Sequence, residues 1–114
     1  MLTLDALRAF GANVDEGLAR CMNNETFYLR LVKLSVSDAN FARLNDAIAA
    51  QDLNAGFEAA HALKGVLANL SLTAILTPVV EITELLRQRT ETDYAPLLAA
   101  INERHQALAA LCRD

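Results

Sequence analysis

Tryptophan is absent from this 114-residue chain, and phenylalanine and tyrosine together make up only 5% of it. So few rings, with alanine and leucine abundant and only four glycines and two prolines to interrupt them, disfavour a sheet and favour helices. Strand-like period-2 alternation, internal repeats and low-complexity tracts are missing as well. Basic residues do not predominate. Ten Lys and Arg against fourteen Asp and Glu give a formal net charge of −4, which argues against the basic stripe that binding to nucleic acid requires. Cysteine is scarce: Cys21 and Cys112 stand far apart without metal-type spacing, so a reducing, cytoplasmic setting is expected. The opening Met1-Leu2-Thr3-Leu4-Asp5 carries no basic segment, and no signal peptide is expected. No apolar run reaches the roughly 20 residues of a membrane span. Val66 to Ile82 comes nearest, but Asn69, Ser71, Thr73, Thr77 and Pro78 interrupt it, so it reads as the end of one buried helix and the start of the next. A glycine-rich phosphate loop and the length for a second domain are lacking too, so no ATP site and no kinase activity of its own are expected.

What the chain does have is helical periodicity, in a length suited to one compact core. A short helix over Leu4–Phe10 ends at Gly11, and a second piece runs from Asp15 to Met22. Asn24 is placed to cap a helix over Glu25–Val36. Ser37 is expected to cap the next, from about Asp38 to Gln51, with Phe41, Leu44 and Ile48 on one stripe. Asp52 separates it from a helix over Leu53–Leu70. Thr73 begins another, in which Ile75, Val79, Ile82 and Leu86 repeat at helical spacing and Pro78 is expected to introduce a kink. Asp93 caps the last, with Pro96 tolerated in its first turn and Leu97, Ile101, Leu108 and Leu111 facing inward. Four helices joined by short turns predict an all-α fold: an antiparallel up-down four-helix bundle over residues 38–112. The short helices of residues 1–36 would pack across one end, making residues 1–114 a single domain.

The helix over 53–70 carries the most informative segment, Ala60-His61-Ala62-Leu63-Lys64-Gly65. Leu53, Ala60, Leu63, Leu67 and Leu70 mark its buried side, and at about 100° per residue their mean direction lies roughly 120° from His61, which therefore points outward. Around it the outer face holds Ala55, Glu58, Ala62, Gly65, Ala68 and Asn69, a patch of mostly small residues that suits docking by another protein. Phe57, one turn earlier, falls at the boundary as a contact residue. Glycine inside a helix costs roughly 1 kcal/mol relative to alanine, so Gly65 calls for a reason. As the i+4 neighbour of His61 it leaves a vacancy beside the imidazole. Lys64 lies at the opposite boundary, its stem along apolar surface and its ammonium reaching outward. An accessible neutral imidazole is a nucleophile. An electrophilic phosphorus brings oxygens that need positive charge and room, and here Lys64 offers the charge and Gly65 the room.

The run Ala60-His61-Ala62-Leu63-Lys64-Gly65-Val66-Leu67-Ala68-Asn69-Leu70 resembles the signature of histidine phosphotransfer (HPt) domains, H-x-L-K-G followed by small residues and often N-L-G. Phe41-Ala42-Arg43-Leu44 through Asp52 resembles the family's preceding helix, and Ile75 to Arg87 the following one. Asp15-Glu16-Gly17-Leu18 and Phe27-Tyr28-Leu29 resemble N-terminal segments of small stand-alone members. The resemblance implies that His61 accepts a phosphoryl group from, and returns it to, an aspartate on a receiver domain. It implies that Lys64 stabilises the phosphate and that Gly65 admits the receiver's active site. It also implies no cofactor and no metal site of the chain's own, the magnesium ion belonging to the receiver. The partners implied are receiver domains of response regulators or hybrid histidine kinases; charge and apolar-run length point to neither nucleic acid nor a membrane as partner, and a monomer is expected. Two positions depart from the pattern: Ser71 stands where many members have glycine, and Leu67 where a small residue is common.

Rival readings exist for the same residues. Glu58-Ala59-Ala60-His61 has the E-x-x-H spacing of di-iron bundles, but the second copy such a site needs is missing, since Glu103 and His105 are one residue apart. His105, four residues after Ile101 on the inward stripe, reads as a partly buried histidine with a hydrogen-bond partner. A helical adaptor that binds signalling partners without phosphotransfer is the remaining alternative, and it has no need for the set His61, Lys64 and Gly65.

Overall fold

The computed structural model describes residues 1–113 of the protein. Its helices are α1 (Leu4–Phe10), α2 (Val14–Arg20), α3 (Glu25–Val36), α4 (Asn40–Ala49), α5 (Leu53–Asn69), α6 (Thr73–Arg87) and α7 (Ala95–Leu111), and no strand occurs among the described residues. Short polar side chains fix where many of them begin. Thr3, Asn13, Asn24 and Asp52 each accept a hydrogen bond from a backbone amide three residues on, satisfying a donor that the first helical turn leaves free.

The same local chemistry corrects four expected boundaries, both ends of α2 and both ends of α4. Asn13 starts α2 at Val14, and Met22 and Asn23, both in the left-handed region, stop it before the expected Met22. Ser37 does not cap α4. It closes α3 through its amide, which donates to the Leu34 and Ser35 carbonyls, and the turn is completed when the Asp38 amide donates to Ser35. Asp38 then accepts from the Asn40 amide at 2.8 Å, so α4 begins two residues late, and Gln51 at φ +58° lies beyond its end. At α7 the Asp93 carboxylate accepts from the Ala95 amide at 3.0 Å, with Tyr94 in the cap position and Pro96 in the first turn. α6 runs continuously through Pro78.

In the bundle, α5 lies between α4 and α6, and α6 packs in turn on α7. Asn45 of α4 and Asn102 of α7 close the ring by donating to each other's side-chain oxygens at 3.1 and 2.9 Å. Leu44, Leu63, Leu67, Ile75, Ile82, Leu86, Ile101 and Leu108 fill the interior. Ile48, Leu97 and Leu111 reach it only in part. The N-terminal helices do more than cover one end, because α1 and α3 both lie against α7, with α2 joined to each of them. Tyr28 of α3 is fully buried and its hydroxyl donates to the Leu70 carbonyl at 2.8 Å, tying the N-terminal helices to the end of α5. Gly17 makes that possible, since a Cβ there would stand only 2.6 Å from the Tyr28 ring. His105 is half-buried as its position predicts, with Nε2 2.8 Å from the Val36 carbonyl and its ring stacked on Phe41 at 3.7 Å.

Candidate functional site

α5 is long, alanine-rich and capped by Asp52, and its two faces are chemically opposite. Gly56, Ala59, Ala60, Leu63 and Leu67 are buried, while the expected Leu53 is only half-buried because it sits in the open first turn. Two glycines on this one helix serve different ends. A Cβ on Gly56 would meet Leu86 of α6 at 3.4 Å and Ala47 of α4 at 3.7 Å, so this glycine lies where three helices converge. A Cβ on Gly65 would meet nothing within 4 Å, which removes helix packing as the reason for that glycine.

His61, Ala62, Gly65 and Asn69 are exposed on the outer face, and Ala55, Lys64 and Ala68 flank them half-buried. No described residue forms a hydrogen bond to the His61 ring, and none pairs with the Lys64 ammonium. The imidazole is nonetheless held. Phe57, one turn earlier, stacks on it with ring centroids 5.5 Å apart and an interplanar angle of 20°. On Phe57 in turn lies the Arg87 guanidinium of α6, 4.9 Å from the ring centroid, and the Arg87 Nε donates to Glu84 at 3.2 Å. The structure thus brings His61, Lys64 and Gly65 onto one face of α5 and adds Arg87, which sequence reasoning passed over. The signal for Arg87 was the register of the α5–α6 hairpin: Phe57 and Arg87 each lie about 15 residues from Leu72, so antiparallel helices bring them level.

Beyond Gly65 the same face leads into an open groove lined by Phe27, Leu31 and Leu34 of α3 and by Val66 and Asn69 of α5. Leu34 is 63% exposed, and Phe27 is exposed beside it. The two departures from the HPt pattern also have structural counterparts. Leu67 is fully buried in the core. Ser71 adopts φ +53°, a left-handed conformation that suits glycine, in the turn between α5 and α6. Among the described residues no group of three His, Cys, Asp or Glu side chains could hold a metal ion, so Glu58 and His61 gain no further ligands. No helix there is long and apolar enough to cross a membrane.

The chain is thus an all-helical bundle that exposes one imidazole from the middle of a packed helix, with a lysine on one side of it and an open glycine on the other. The family model for the Hpt domain matches residues 32–111, and the chain belongs to that family. The match begins within α3 and ends with α7, so all four bundle helices and the His61 segment lie inside it. Comparison with curated proteins and with solved structures returned no match.

Proposed function

We propose that this protein is a histidine-containing phosphotransfer protein of a two-component phosphorelay, with His61 as the residue that carries the phosphoryl group. The observation that carries the reading is the exposed His61 ring beside Gly65, whose missing side chain faces open space, in a chain of the Hpt family. A nitrogen of His61 attacks the phosphorus of an aspartyl phosphate on a receiver domain. The N–P bond forms as the P–O bond to the aspartate breaks, the carboxylate leaves, and the proton on the other ring nitrogen passes to water. Return of the group follows the same path in reverse. Lys64 lends positive charge to the transferring oxygens, and Gly65 leaves room for the rim of the receiver's site. The groove along α3 extends the surface on which the receiver rests. Residues 1–114 act as one such domain, a cytoplasmic monomer that carries phosphate without an ATP site of its own.

Incubation with a phosphorylated receiver tests the proposal. Acid-labile label is expected on the protein and is expected to vanish in His61→Gln. Undiminished labelling of that variant, with the receiver unchanged, would remove His61 from the mechanism.

A further inference from the structure

We infer that Phe57 is a positioning residue for His61: its ring, held from α6 by Arg87, sets the plane of the imidazole and so how accessible each ring nitrogen is to an incoming phosphorus. The inference rests on the phosphotransfer reading of His61 and assigns roles to two residues outside the His61, Lys64 and Gly65 set.

Histidine χ2 is a soft torsion with broad, roughly two-fold preferences. In buried or catalytic histidines a hydrogen bond to one ring nitrogen normally fixes the ring and distinguishes the two nitrogens. His61 has no such bond to any described residue. What it has is the Phe57 ring, nearly parallel at 20° and 5.5 Å away. Offset stacking of this kind is directional, and it restrains χ2 without occupying either nitrogen. A stack between two side chains of one exposed helix face would be loose if Phe57 were free to turn. Arg87 prevents that by laying its guanidinium 4.9 Å from the Phe57 centroid, and Glu84 anchors Arg87 through Nε at 3.2 Å. Glu84, Arg87, Phe57 and His61 therefore form one continuous chain of contacts from α6 to α5, with both imidazole nitrogens left open.

Potassium phosphoramidate tests the inference without a receiver. It phosphorylates imidazole directly: the ring nitrogen bonds to phosphorus, the P–N bond to ammonia breaks, and ammonia leaves with the proton. The readout is the ratio of the two phosphohistidine isomers at His61 by NMR at early times, with His61→Gln used to subtract any signal from His105. In the native chain the ratio should depart from that of free histidine by roughly 2- to 12-fold, the range a stacking energy of this size supports. Phe57→Ala should bring it back to the free-histidine ratio, Phe57→Tyr should preserve it, and Arg87→Lys, which keeps charge but not the planar stack, should fall between. With a phosphorylated receiver, Phe57→Ala should lower the maximal transfer rate several-fold and leave the half-saturating receiver concentration unchanged. A native ratio equal to that of free histidine would overturn the inference. So would a Phe57→Ala ratio equal to the native one at unchanged helix content, or an effect confined to half-saturation. Loss of receiver-dependent labelling at His61 altogether would instead overturn the phosphotransfer reading, which the isomer ratio does not measure.

Discussion

The side chain that Gly65 lacks would begin in open space, one helical turn from the His61 imidazole. Packing therefore does not require this glycine, and the helix bears its cost without a structural return. Gly65→Ala is expected to stabilise the fold by about 1 kcal/mol in urea unfolding, the difference in helix propensity. The same variant should receive phosphate from a receiver more slowly, and Gly65→Phe should block transfer, while labelling by phosphoramidate stays near native in both. A destabilised Gly65→Ala would contradict the open-space account.

Lys64 has no ion-pair partner among the described residues, so its charge is available to a phosphate. Replacing it with alanine should slow transfer roughly tenfold, the scale of one charge-assisted hydrogen bond. Stability should change by no more than about 0.5 kcal/mol, as at an ordinary surface position. Because the interaction is partly exposed, the difference between native and Lys64→Ala rates should shrink as salt rises. A difference independent of salt would point to a loss of packing instead.

Much of this site was legible from order along one helix. The outward direction of His61 and the vacancy at Gly65 follow from a 100° step and the positions of Ala60, Leu63 and Leu67, because those quantities are local. The bundle followed from turn lengths on the same grounds. What escaped depended on contacts between elements. Arg87 looked like an ordinary basic residue in the last turn of its helix until the α5–α6 register set it over Phe57. Ser37 looked like an N-cap because Ser commonly is one, but it is the C-cap of α3, and the side chain that accepts from the first amide of α4 is that of Asp38. The anchoring of the N-terminal helices was likewise hidden, since Tyr28 of α3 reaches Leu70 at the end of α5 across 42 residues of sequence.

The buried Tyr28 phenol makes stability sensitive to alkali. Burial, with a smaller contribution from the nearby Cys21, pushes its pKa up from 10.0 to about 12. The neutral phenol is the form favoured by folding, so this contribution is fully present below pH 10. It is lost as pH rises from 10 towards 12, where the unfolded chain releases the proton first. Two pH units correspond to roughly 2–3 kcal/mol at most. Tyr28→Phe should flatten most of that decline, leaving the part due to Tyr94, whose pKa burial also raises. At neutral pH the variant should be less stable by about 1–3 kcal/mol, because the Leu70 carbonyl loses its donor. Urea unfolding of both proteins between pH 7 and 12 checks the sign, and an equal alkaline decline in Tyr28→Phe would assign it elsewhere.

Ser71 combines two unfavourable features in the turn that follows the His61 helix. Its φ of +53° costs a residue with a Cβ roughly 1–2 kcal/mol. Its buried hydroxyl is without a hydrogen-bond partner among the described residues. The backbone is what the turn needs: the Ser71 carbonyl accepts from the Asn13 amide at 2.9 Å and joins the loop before α2 to the end of α5. Glycine would keep that bond, relieve the strain and remove the orphaned hydroxyl, against an unfolded-state entropy cost of about 0.4–1 kcal/mol. Ser71→Gly is therefore expected to stabilise the protein by about 1–2 kcal/mol without altering phosphotransfer. Ser71→Ala separates the two effects, since it removes the hydroxyl but keeps the strain, and it should recover only part of the gain. If Ser71→Ala matches Ser71→Gly in urea unfolding, the left-handed backbone is not the source of the cost.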